Sequence, residues 1–172
     1  WAEHPDHEIG AIVDERVFVI DADGPAAVAA LYSIENALDV SPNLIVKTKK
    51  GEHHYFRRAT GSYARMDSHS TELHPDRVDV RTGRGHGKGR SMIVLPPSLG
   101  KAIVLNEADS VADLTVATQA LIDAVAIHNG REPPRIPVPK IAKPGTVVGN
   151  HSDSEKIRSL LRYVPSQCGY QD

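Results

Sequence analysis

The chain has 172 residues, a formal net charge of -2, 40% hydrophobic and 24% charged residues, which suits a globular domain with room for one packed core. Apolar runs such as 17–20 and 103–105 are far too short to cross a bilayer, and the lone Cys168 excludes an internal disulfide framework. Mild acidity also counts against a module that grips nucleic acid by overall charge, though not against an enzyme that gathers carboxylates in one cleft with basic residues around its rim.

In chain order, Ile- and Val-rich stretches predict strands over 8–13 and 17–21. Gly24-Pro25 opens a helix, because proline suits the first turn, and Ala27, Leu31, Ile34 and Leu38 follow on one apolar stripe. Residues 44–48 and 53–57 flank Lys49-Lys50-Gly51-Glu52 as a hairpin, and further strands are expected over 77–81, 90–95 and 101–105. A second long helix is expected from Ser110, with Asp113 completing a capping box, Leu114, Ala117, Leu121 and Val125 on its buried face, and Gly130 at its end. Prolines at 133, 134, 137, 139 and 144 make 131–151 an extended linker. Ser152 and Glu155 then cap a short amphipathic helix bearing Ile157, Leu160, Leu161 and Val164. That helix has nothing of its own to pack against, so the chain is expected to be a piece of a longer protein. The expected division is a core over 1–130, the linker over 131–151 and the start of a helical domain over 152–172.

Three stretches carry chemistry. The strand Val17-Phe18-Val19-Ile20 runs into Asp21-Ala22-Asp23, and strand alternation points both carboxylates to one side. Like charges held that close repel unless a cation lies between them, and hard divalent ions with oxygen ligands answer the need; the plainer reading is an Asp-rich turn. Lys47-Thr48-Lys49-Lys50-Gly51-Glu52-His53-His54 offers charge and imidazole donors suited to a triphosphate, with His53 and His54 on opposite faces; the plainer reading is a solvated basic hairpin. Asp79 sits between Val78 and Val80, ahead of Arg81 and the basic glycine-rich segment 83–90. A carboxylate in that position needs a partner, and the segment suits phosphates or a nucleic-acid backbone, or else is a plain hairpin tip. The histidines at 4, 7, 69, 74, 128 and 151 lack zinc spacings and read mostly as surface residues, while Asp67, Asp76, Asp109 and Asp123 read as solvated or capping.

The order of these pieces is more specific than any one of them. A strand ending in DxD, then Gly51-Glu52-His53 before an aromatic strand, then Val78-Asp79-Val80-Arg81, then Leu95-Pro96-Pro97-Ser98 resembles the bifunctional DNA primase/polymerase domain of the archaeo-eukaryotic primase superfamily. The resemblance covers about 9–98. It implies an α+β fold: an RRM-like catalytic core of mixed or antiparallel sheet with flanking helices. It places the family's metal ligands on Asp21, Asp23 and Asp79, and its phosphate-contacting histidine on His53. Arg81, Lys47, Thr48 and Lys49 are expected beside the nucleotide. It implies template-directed addition of nucleotides to a 3′-hydroxyl with two divalent ions, Mg²⁺ or Mn²⁺. The implied partners are nucleoside triphosphates (dNTP or NTP), single-stranded or primed DNA and a helicase domain or protein. No membrane is implied, and cytoplasmic residence is expected in a bacterial, archaeal, plasmid or phage setting. The segment 160–172 resembles the start of a helical primase C-terminal domain.

Two rival readings remain open at this point. A phosphatase of the haloacid-dehalogenase type also opens with an apolar strand and DxD, making Asp21 a nucleophile, but expects threonine where Pro25 stands and strands alternating with helices throughout. A non-catalytic RRM-like nucleic-acid-binding module would need exposed strand aromatics, and aromatics are 5% of this chain.

Overall fold

A computed structural model of the protein describes residues 8–83 and 91–133. The expectations for His4, His7, the segment 84–90, the linker beyond 133 and the helix within 152–172 lie outside the described residues.

The hydrophobic strand 17–20 becomes the centre of a sheet. β2 (Val17–Asp23) is bordered by β4 (Gly51–Arg58) on one side and β5 (Asp79–Thr82) on the other, both antiparallel. β3 (Leu44–Lys47) and β7 (Ala102–Asn106) continue the sheet in the order β5-β2-β4-β3-β7. A short β8 (Val116–Ala117) runs parallel to the end of β4. β1 (Ile9–Val13) and β6 (Ser91–Leu95) pair antiparallel as a separate two-stranded sheet.

Alternation along β2 sorts the two faces. Phe18, Ile20 and Ala22 point to the face covered by α1 (Pro25–Ala37) and α2 (Gln119–His128), where they pack with Leu31, Phe56, Leu121 and Val125. Val19 points to the other face and packs with Val46, Tyr55 and, from the small sheet, Val13 and Ile93. Asp21 and Asp23, in phase with Val19, lie on this second face, beyond its apolar part.

The second helix begins later than its sequence suggests. Ser110 and Asp113 form a local turn in which the Ser110 hydroxyl donates to the Asp113 carboxylate (2.7 Å). The chain then stays extended, because the Thr115 carbonyl accepts from the Arg57 N–H (2.9 Å) and the Ala117 carbonyl accepts from the Ala59 N–H (3.1 Å). Unpaired backbone at the end of β4 therefore outcompetes another helical turn. α2 starts at Gln119, with Thr118 Oγ1 accepting from the Leu121 N–H (3.4 Å) as its cap. The antiparallel borders of β2 also depart from the regular strand–helix alternation that the phosphatase reading needs.

Candidate active site

Sheet register assembles the site. In one transverse row Asp21 of β2 lies opposite Asp79 of β5 on one side and His53 of β4 on the other. Positions opposite one another in a sheet hold their Cβ atoms about 4.5–5.5 Å apart, so three residues separated by dozens of positions in sequence become immediate neighbours. Asp23 lies one step further along the same face, opposite Gly51. The glycine there has a steric reason: a Cβ on Gly51 would overlap the Ala22 carbonyl oxygen. Its absence lets β4 close on β2 beside the second aspartate, and Gly24 N–H donates to the Lys50 carbonyl (2.9 Å) at the same junction.

Asp21 is the electrostatic centre. Burial pushes its carboxyl up, but His53, Arg81 and Lys101 outweigh that and hold it below the usual carboxylate range. His53 Nε2 stands 3.2 Å from Asp21 Oδ1, without hydrogen-bond geometry, so this buried oxygen has no hydrogen-bond partner. Asp23 behaves oppositely. Burial raises its carboxyl, and the negative charges of Asp21 and Asp79 raise it further against the opposing charge of Lys50.

Asp79 has both oxygens engaged: Oδ1 accepts from the His69 backbone N–H (2.7 Å) and Oδ2 from Arg81 Nη2 (2.6 Å). The same guanidinium nitrogen lies 3.5 Å from Asp21 Oδ2, so Arg81 sits between the two carboxylates. Among the described residues no three His, Cys, Asp or Glu side chains are arranged to hold a metal ion; Arg81 and the His69 N–H hold Asp79 in another contact. The donor chemistry nonetheless fits a hard divalent cation, because the set is all oxygen and one buried oxygen is unpartnered.

The lysine-rich turn serves two faces. Lys47 lies on the helix-covered side, 3.5 Å from Glu52, whose Oε2 also accepts from the Tyr32 hydroxyl (3.0 Å). Register thus places Lys47 away from Asp21 and His53. Thr48 is buried, its Oγ1 accepting from the N–H groups of Lys50 (3.2 Å) and Gly51 (2.9 Å), so it shapes the turn. Lys49 packs its stem over Gly100, where an added Cβ would stand 2.5 Å from Lys49 Cγ. His54 is turned fully inward and lies 2.7 Å from Glu35 of α1.

Two residues escaped the sequence reading. Lys101 Nζ lies 3.4 Å from His53 Nε2. It is delivered by the turn after Leu95, in which Pro96-Pro97 is cis, buried Ser98 Oγ accepts from the Ile9 N–H (2.7 Å), and the Ser98 carbonyl accepts from the Lys101 N–H (3.0 Å). Only the Leu-Pro-Pro-Ser string hinted at it. His69, read as a surface residue, has a side chain 4% exposed, with Nε2 2.9 Å from Asp67 Oδ2. Asp67 is likewise engaged, with the Arg131 guanidinium and His69 holding its carboxyl low against the effect of burial. Neither signal is local: both depend on segments brought together by the sheet.

Residues 1–117 match the family model described as bifunctional DNA primase/polymerase, N-terminal. No curated protein and no solved structure matches the chain. Among the described residues no helix is long and apolar enough to cross a membrane.

Proposed function

Since the chain belongs to the bifunctional DNA primase/polymerase N-terminal family, which implies nucleotide substrates and a DNA template, we propose that Asp21, Asp23, Asp79 and His53 form the centre of a template-directed nucleotidyltransferase. The observation that carries this is the transverse row Asp79–Asp21–His53, with Asp23 in phase beside it. The strand order β5-β2-β4-β3, with α1 crossing from β2 to β3, supports reading the core as RRM-like. The proline-rich sequence after 131 supports a boundary between this core and a linker over 131–151, with 152–172 opening a further domain.

The three aspartates are the residues that would hold two divalent ions, Mg²⁺ or Mn²⁺; when bound, such ions lower the pKa of the attacking 3′-hydroxyl and neutralise charge on the triphosphate. Asp21, kept ionised by its cationic neighbours, supplies negative charge across the working pH range. Burial and the charges of Asp21 and Asp79 raise the Asp23 carboxyl, and a bound cation would offset them. His53 and Lys101, 3.4 Å apart at their nitrogens, are placed to hold non-bridging phosphate oxygens of a nucleotide, which orients it against the 3′-hydroxyl. The Tyr55 hydroxyl, 3.5 Å from His53 Nδ1, orients the imidazole. Arg81, between Asp21 and Asp79, stands beside the place a nucleotide would take. Lys50 is close enough to Asp23 to oppose the rise of its carboxyl, Lys49 lies over Gly100, and Lys47 faces away.

Primer extension on a DNA template with Mg²⁺ or Mn²⁺ and deoxynucleotides tests the reading. The native chain extends the primer, and Asp21→Ala and Asp79→Ala each lose the activity. Full extension by either variant removes that aspartate from the site. Oligonucleotide binding by the native protein with no incorporation under any metal condition returns the non-catalytic binding module.

A further inference from the structure

We propose that His69 and Asp67 are a positioning pair that fixes the direction of the Asp79 carboxylate on the catalytic face. The inference rests on the reading of Asp79 as a metal ligand. Asp79 opens β5, and β5 is an edge strand of the sheet. A carboxylate there has neighbouring strand on one side only; Arg81 holds its Oδ2, and its Oδ1 needs a partner from outside the sheet. The segment around Asp67 provides it. Asp67 forms a bridge with Val80, with the Val80 N–H donating to the Asp67 carbonyl (2.9 Å) and the Asp67 N–H to the Val80 carbonyl (3.2 Å). Two residues on, the His69 N–H reaches Asp79 Oδ1 at 2.7 Å.

That N–H is held in place by its own side chain. The imidazole is nearly fully buried and its Nε2 lies 2.9 Å from Asp67 Oδ2. Asp67 is anchored in turn by Arg131, whose Nη2 donates to Oδ1 (3.2 Å), and by Asn129 Nδ2 (3.4 Å). Asn129, 1% exposed, also grips the residue next to Asp79: its Oδ1 accepts from the Val78 N–H (3.2 Å) and its Nδ2 donates to the Val78 carbonyl (2.8 Å). The end of α2 therefore braces both sides of Asp79. Covering the strand edge requires only the Asp67–Val80 bridge. It does not require a buried imidazole whose own backbone N–H points at a carboxylate. Hydrogen-bonded partners of this kind orient metal-binding carboxylates, and their loss typically lowers metal affinity or activity 10–100-fold.

The test uses the full chain, with Mn²⁺ affinity measured directly by electron paramagnetic resonance alongside primer-extension kinetics. In His69→Ala, Mn²⁺ affinity and kcat both fall about tenfold or more, while KM for the deoxynucleotide stays within about twofold. His69→Gln, whose amide can still donate to Asp67, keeps most of both. Asp67→Asn, which retains shape and removes the shared charge, is read the same way should His69→Ala not fold. In the native protein the His69 amide proton resonates far downfield, and it moves upfield in Asp79→Ala. Loss of Mn²⁺ binding in Asp79→Ala with none in His69→Ala or Asp67→Asn overturns the positioning role alone. Unchanged Mn²⁺ binding in Asp79→Ala overturns the ligand reading and this inference with it.

Discussion

Replacing Asp21 and Asp23 separately by asparagine is expected to move the stability of the metal-free protein in opposite directions, although the two residues share one strand and one face. Asp21 is about seven-eighths buried at its side chain, with His53 and Arg81 within 3.5 Å. Its carboxylate is the shared counter-charge of a cationic cluster, and losing a charged partner of that kind costs about 1–2 kcal/mol. Asp23 is more exposed, and its ionisation is opposed by Asp21 and Asp79. Relief of that repulsion gains roughly 0.5 kcal/mol after solvent screening. At about 2–4 °C per kcal/mol for a chain of this size, Asp21→Asn lowers Tm by roughly 2–8 °C and Asp23→Asn raises it by about 1–2 °C. The pH dependence follows from the direction of each shift. The folded state holds the Asp21 carboxyl low, so its contribution is complete above the unfolded carboxylate value and fades only as pH falls through the lower folded one. The folded state holds Asp23 high, so its penalty is absent in acid and grows in as pH rises from the unfolded value through the folded one. Thermal unfolding by circular dichroism in EDTA, at neutral pH and near pH 3, reads both. Mg²⁺ then reverses the order for Asp23, because an ion at 100 times its Kd stabilises the native chain by about 2.7 kcal/mol and the variant by less. Shifts of the same sign for the two variants in EDTA at neutral pH would refute the electrostatic picture of the site.

Two further outcomes follow from the strand junctions around it. Gly51→Ala forces a Cβ onto the Ala22 carbonyl oxygen, so denaturant unfolding should show a loss of about 1–3 kcal/mol, with primer extension falling further than stability because Asp23 and His53 separate; unchanged stability would mean β4 can shift at no cost. Lys101→Gln removes a charge that helps keep Asp21 ionised and stands beside His53. It is expected to raise KM for the nucleotide about tenfold, matching the loss of one charge-assisted hydrogen bond of about 1.5 kcal/mol, and to move the acid limb of the rate profile to higher pH. A KM equal to that of the native chain would remove Lys101 from nucleotide binding.

The amino-acid sequence alone determined the elements that rest on local pattern. The apolar run before Asp21, the stripe from Ala27 to Leu38 and the glycine turn before His53 each report a period or a steric requirement within a few residues, and each strand or helix they predicted lies within a few residues of its place. Facing followed from the same alternation, since it put Asp21 and Asp23 on one face and set His53 against His54. The false start of the second helix at Ser110 shows the limit of local pattern: a valid capping-box string lost to the unpaired backbone at the end of β4, which the sequence does not display. Tertiary structure decided what lies across the strands. It turned Lys47 away from the site while the cis-proline turn brought in Lys101, and it buried His69 beneath a carboxylate ten residues later. Those placements depend on which segments the sheet makes neighbours, and hydrogen bonding between strands carries no signature in the spacing of residues along either one.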